Sequence, residues 1–175
     1  RIKARWQYVT NFRGPLTIGA GQFAAFMKSS PEEPVPDMEI IFMSFSAPGP
    51  GQMPHRFPGF TILGYQLRPL SQGYVRIKSN DPAAHPAIFP NYLAEEIDLK
   101  VTMEVFKTCR RFAQSPALKQ YILEEHIPGP GVADDEAIED YVRGGGGTVF
   151  HPTSTCRMGN DARAVVDDRL RVHGL

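Results

Sequence analysis

Four strand-like segments precede the first helical period of this chain, and no helical pattern interrupts them. That order constrains the fold more than any other feature. Residues 22–28 put Phe23, Ala25 and Met27 on one side and Ala24 and Phe26 on the other, which predicts a strand buried on both faces. Residues 38–45 are apolar at nearly every position, and residues 60–68 form a third run. Residues 74–79 alternate Val75 and Ile77 with Arg76 and Lys78, so one face of that strand should be wet. The turn Pro69-Leu70-Ser71-Gln72-Gly73 predicts a hairpin that pairs residues 65–67 with 75–77. Consecutive strands without crossovers argue for an antiparallel sheet. Residues before Gly21 read as mixed and turn-rich.

Then the period changes. Ile97, Val101, Val105, Cys109 and Phe112 recur at helical spacing and predict a helix over 95–114. Ser115-Pro116 opens a shorter one to about residue 123, and Asp134 caps a third that stops at the four glycines 144–147. Between strand 74–79 and the first helix, Pro86 and Pro90 bracket a short extended piece, Ala87–Phe89. The predicted class is α+β: a mostly antiparallel sheet with helices packed on one face.

Composition narrows the function. Lys plus Arg and Asp plus Glu balance at 19 each, which removes the basic excess expected of a nucleic-acid or anionic-membrane binder. No apolar run approaches the roughly 20 residues of a transmembrane helix. The opening Arg-Ile-Lys-Ala-Arg lacks the apolar stretch of a signal peptide. Cys109 and Cys156 have no Cys-x-x-Cys spacing and read as free thiols, which places the protein in the cytoplasm. Pro and Gly cluster between the periodic segments. The longest of these loops, residues 46–58, carries His55, and a loop of that length in a compact domain is usually functional.

The densest chemistry lies in Thr148-Val149-Phe150-His151-Pro152-Thr153-Ser154-Thr155-Cys156-Arg157-Met158-Gly159. Pro152 pushes His151 towards extended backbone, at the mouth of a strand. An imidazole is the side chain most easily tuned to move protons near neutral pH. Three hydroxyls, a thiol and a fixed cation follow it. Arg157 is expected to anchor the motif turn, Phe150 and Met158 to be core, and His85 and His126 to lie on the surface. A cysteine-nucleophile site with His151 and Cys156 lacks an orienting partner, and the scattered histidines have no zinc spacing.

This block resembles the C-terminal signature of the glucose-methanol-choline (GMC) oxidoreductases. The likeness continues through Ala164-Val165-Val166-Asp167 and Leu170-Arg171-Val172-His173-Gly174-Leu175. It reaches upstream to Arg13-Gly14-Pro15-Leu16-Thr17, Leu67-Arg68-Pro69-Leu70-Ser71-Gln72-Gly73 and Pro90-Asn91-Tyr92-Leu93. Ser154 departs from the Gly that many members carry. The resemblance implies an FAD-dependent oxidation of a small alcohol, with His151 as the catalytic residue and Pro152 and Thr153 near the flavin. Phe42, Phe45 and His55 are candidates for the substrate pocket, and Phe57, Phe60 and Tyr65 are further rings available to it. A choline-like substrate would need an aromatic cage and a carboxylate.

No G-x-G-x-x-G follows a strand anywhere in the chain. The expectation is therefore that residues 1–175 form the substrate-binding domain only, without the FAD-binding domain. The second catalytic His or Asn would lie past Leu175. On that reading the isolated chain binds no FAD and does not turn over. A non-catalytic binding module on an antiparallel sheet stays open as the alternative, and oligomeric state is not addressed by the sequence.

Overall fold

The computed structural model describes residues 2–49 and 51–175. In chain order the elements are α1 (Ile2–Asn11), β1 (Phe23–Met27), β2 (Met38–Met43), β3 (Thr61–Gln66), β4 (Tyr74–Arg76), β5 (Ala87–Phe89), α2 (Glu96–Ala113), α3 (Pro116–Lys119) and α4 (Asp135–Gly145). A 3₁₀ turn, Pro15–Thr17, follows α1. The strands are antiparallel throughout, and the class is α+β as expected.

They form two sheets, however. One has the order β1-β2-β3 and the other pairs β4 with β5. The expected hairpin between residues 65–67 and 75–77 does not form. Its turn is captured instead by the helix that follows. Asp98, in the first turn of α2, accepts hydrogen bonds from Leu70 N (2.9 Å), Ser71 N (2.7 Å) and Gln66 Nε2 (2.8 Å), and from the Ser71 hydroxyl. The chain leaves the first sheet to satisfy that carboxylate, and β4 then pairs with β5.

Register fixes what each face of the larger sheet does. Met38, Ile40 and Phe42 alternate with Glu39, Ile41 and Met43 along β2. The first set faces α2. Met38, Ile40 and Val105 are buried together, with Ala25, Met27, Ile62, Cys109 and Phe112 packed around them. Gly64 lies opposite Ile40, where a Cβ would stand 2.7 Å from the Glu39 carbonyl oxygen of β2 and 2.7 Å from Val105 Cγ1 of α2. A second core joins Leu99 of α2 to Ile138 and Val142 of α4. Asp134 caps α4 as expected, with Oδ1 accepting from Ala137 N at 2.9 Å. Arg110 ties the loop before α4 to α2, donating to Glu125 and to the carbonyls of Gly129 and Val132.

Two expectations about the N-terminal third are corrected. The opening is not turn-rich but begins with α1, whose Ile2, Trp6 and Val9 stand at i, i+4 and i+7. That stripe is legible in the sequence, but all three residues are exposed and none of the helix is buried. Strand β1 is not buried on both faces: Phe23 is 72% and Phe26 61% exposed. It is an edge strand, and α2 covers only one side of the sheet.

Candidate functional site

The motif that carries His151 is irregular chain after α4, not the end of a strand. Phe150 takes a left-handed backbone (φ 61°) and its N–H is held by Thr148 Oγ1 at 2.9 Å. This local turn points the chain outward, so the expected strand mouth does not form. His151, Pro152 and Thr153 are all exposed. Phe150 and Met158, expected in the core, are 70% and 50% exposed. Neither belongs to the two buried clusters, and the Met158 backbone bridges to Val166.

Behind His151 the motif is tied to the chain's last segment. Gly159 N donates to the Val166 carbonyl (3.0 Å), and Val165 N to the Arg157 carbonyl (2.8 Å). Arg157 forms a two-pronged ion pair with Asp161, which holds the Asp161 carboxyl down at about 2. This is the anchoring expected of Arg157. His173 Nε2 donates to the Gly159 carbonyl at 3.0 Å, so this imidazole braces the turn. Asp167 accepts from the backbone N–H groups of Arg169 and Arg171 and from the Arg171 guanidinium. Ser154 sits at φ 72°, a left-handed position that a glycine occupies without strain.

His151 meets the larger sheet at Tyr65. Its ring stands edge-on to Tyr65 of β3, with centroids 6.3 Å apart and planes at 84°. Tyr65 donates from its phenol to Glu39 Oε2 at 2.6 Å. That bond, then burial and the nearby negative charge, push the Tyr65 phenol up to about 12, so it stays protonated. Glu39 and Tyr65 are register partners and share the face turned away from α2. The site therefore lies on the sheet's uncovered face.

The other predicted pocket residues do not gather there. Phe42 is on the opposite face, beside Ile40. With Phe23, Ile62, Phe112 and Leu118 it lines an open apolar cleft of about 380 Å³. Its ring lies 5.2 Å from that of Phe60. Phe45 lies past the end of β2, and its carbonyl accepts from Thr61 Oγ1 at 3.0 Å. His55 joins a separate cluster: it stacks on Phe57 at 4.7 Å, meets His126 edge-on at 5.0 Å and shares a 2.8 Å hydrogen bond with Ser46 Oγ. Glu39 was missed by sequence reasoning. A lone acidic residue in an apolar strand pattern was the available signal, since a strand interior admits such a residue mainly on a face that is not core.

Among the described residues, no group of three or more His, Cys, Asp and Glu side chains could hold a metal ion. No helix among them is long and apolar enough to cross a membrane.

An exposed imidazole on a braced turn stands edge-on to a tyrosine on the open face of an antiparallel sheet, on an α+β scaffold. The GMC oxidoreductase family model matches residues 69–175. The chain belongs to that family. It is 34% identical to an alcohol dehydrogenase [acceptor] of Pseudomonas putida over 97% of its length, which is 31% of that protein. It is 36% identical to an oxygen-dependent choline dehydrogenase of Escherichia coli over 100% of its length, again 31% of the relative. The chain thus spans about a third of these relatives. Among solved structures, a formate oxidase of Aspergillus oryzae superposes with a TM-score of 0.80 at 23% identity, covering 100% of this chain and 35% of that one. A pyridoxine 4-oxidase from Mesorbium loti gives 0.71 at 24% identity over 87% of this chain and 30% of that one. At these identities the structural matches speak to the fold alone.

Proposed function

We propose that this chain is the substrate-binding portion of an FAD-dependent alcohol oxidoreductase, and that His151 is its acid–base residue. The observation that carries the reading is the placement of His151: exposed, on a braced turn and against Tyr65 of the sheet's open face. Relatives named for alcohol and choline oxidation, each about three times as long, support it.

Alcohol oxidation separates a hydroxyl proton from a carbon-bound hydride. FAD supplies the hydride acceptor when bound. A neutral His151 imidazole takes the hydroxyl proton, and as imidazolium it stabilises the developing oxyanion. Tyr65, fixed by Glu39, limits where the ring can lie.

The residues present fit one end of such a cofactor. His151, Pro152 and Thr153 are exposed together and are the group to face the flavin ring. The diphosphate end has no cradle among the described residues. Gly144 and Gly145 close a helix at its C-terminus, where carbonyls rather than N–H groups point outward. We therefore assign the dinucleotide-binding part to the longer protein, outside these residues. The chain alone should bind FAD too weakly to be yellow. The free thiols of Cys109 and Cys156 suit a cytoplasmic location. The binding-module alternative rests on the missing dinucleotide loop; relatives three times this length support the enzyme reading instead.

The test uses the full-length protein. His151→Ala should lower kcat by about 10²–10⁴, the usual worth of a general acid–base group, with flavin absorbance per protein unchanged. His173→Ala should be the milder change in kcat, because its imidazole braces a carbonyl. Near-normal turnover in His151→Ala, or greater damage in His173→Ala, would make the motif structural.

A further inference from the structure

The chain on either side of His151 has little hydrogen-bonded support of its own. Among the described residues, none of 147–153 takes part in a backbone–backbone hydrogen bond. One side-chain hydrogen bond serves that stretch: Phe150 N–H donates to Thr148 Oγ1 at 2.9 Å. Thr148 and Val149 are half-buried, and Phe150, His151, Pro152 and Thr153 are exposed. The bond therefore sits where the chain emerges from the domain. Phe150 keeps φ at 61° there. A bulky residue avoids the left-handed region unless its surroundings hold it. A hydroxyl two residues back that accepts its N–H is a local bond of the kind that competes with regular backbone. Ahead of His151, the Pro152 ring restricts it to extended conformations. His151 thus leaves the chain in a direction set by Thr148 behind it and Pro152 ahead of it. Its ring then stands 6.3 Å from that of Tyr65.

We propose that Thr148 is a positioning residue for the acid–base step: its hydroxyl holds Phe150 in the left-handed backbone that sets the His151 ring against Tyr65. Released from that bond, Phe150 returns to a negative φ, a rotation of about 100° or more. A rotation of that size one residue before His151 swings the imidazole away from Tyr65. Misplacing a reacting group by about 1 Å can cost about 100-fold in rate. The residue type suits the task. A β-branched side chain is stiff at χ1, so the Thr148 hydroxyl stays aimed at the Phe150 N–H. Valine has the same shape but no acceptor, and serine has the acceptor on a looser side chain. Thr148 acts through the backbone of Phe150. The inference rests on His151 being the acid–base residue, and it adds what aims that residue.

The test uses the full-length protein. Thr148→Val keeps the shape and removes the acceptor. It should lower kcat by about 10–100-fold, with KM within about threefold and flavin absorbance per protein unchanged. Thr148→Ala should match it. Thr148→Ser restores the acceptor and should keep kcat within about threefold of wild type. Phe150→Asn supplies a residue that takes left-handed backbone readily, so in that background Thr148→Val should cost less than about threefold. In a His151→Ala background Thr148→Val should cost nothing further, because it acts through the imidazole. A crystal structure of the Thr148→Val protein should show Phe150 outside the left-handed region and the His151 and Tyr65 rings apart. Unchanged geometry in that structure, an equal loss in Thr148→Ser, or a full further loss in the His151→Ala background would overturn the proposal. The structure also separates the two readings. If the rings part in Thr148→Val but His151→Ala turns over normally, Thr148 still sets the ring and the acid–base reading falls. If His151→Ala is impaired but the rings stay together in Thr148→Val, positioning by Thr148 falls alone.

Discussion

Asp98 and Ser71 are joined by two hydrogen bonds, from the Ser71 backbone N–H at 2.7 Å and from its hydroxyl. With Leu70 N and Gln66 Nε2 added, a carboxylate that is 1% exposed fastens the first turn of α2 to the loop leaving β3. Burial opposes ionisation of Asp98, but the hydrogen bonds from Ser71, Leu70 and Gln66 outweigh it and hold the carboxyl below its ordinary range. Asp98→Asn turns an amide donor towards existing donors and should cost about 2–4 kcal/mol, given about 1–3 kcal/mol for each buried group left unpaired. Because the folded group titrates lower than the unfolded one, its contribution is complete above the unfolded value near 3.9 and is lost as pH falls through the folded value. Denaturant titrations should show the wild-type advantage over Asp98→Asn constant from neutral pH down to about 4–5 and shrinking below that. An advantage independent of pH would mean that shape, not charge, holds the loop.

Gly64 of β3 leaves no room for a side chain between β2 and α2. A Cβ there would lie 2.6 Å from Ile40 Cδ1 and 2.7 Å from the Glu39 carbonyl oxygen, and a backbone carbonyl cannot swing away. Gly64→Ala should destabilise by about 1–3 kcal/mol, the usual cost of overpacking a core. A thermal melt at or above that of the wild type would show that the β2 backbone and α2 can both shift at little cost.

Ser154 carries a backbone strain that a glycine would relieve. Its φ of 72° costs a non-glycine residue about 1–2 kcal/mol. Glycine gives back part of that through the unfolded chain's entropy, about 0.4–1 kcal/mol. Ser154→Gly should therefore stabilise by roughly 0.5–1 kcal/mol, and Ser154→Val should destabilise. A lower melting temperature for the glycine variant would show that the Ser154 side chain earns its place.

The two thiols should differ sharply in reactivity. Cys109 packs against the Met38–Ile40–Val105 core, and burial pushes its thiol up to about 11. Cys156 is exposed in the motif turn. Iodoacetamide on the native protein at pH 8, followed by peptide mapping, should label Cys156 and spare Cys109 until denaturant is added. Early labelling of Cys109 would indicate that α2 opens locally.

Much of this protein is legible in local pattern. Strands β1, β2 and β3 follow from short apolar runs between Pro- and Gly-rich breaks, α2 from the spacing of Val101, Val105 and Cys109, and the start of α4 from the Asp134 cap. Those signals depend only on neighbours in the chain, because backbone period and capping are local physics. The motif around His151 is local too, and so was the family. Tertiary structure decided what needed two distant segments at once. The hairpin between β3 and β4 was lost because a carboxylate 27 residues beyond Ser71 claims the turn's N–H groups. Phe42 and Glu39 are separated by register, since the side-chain period of a strand is two and α2 covers one face only. Which ring meets His151 was open for the same reason: Tyr65 reaches it because it stands opposite Glu39 on the face that α2 leaves bare.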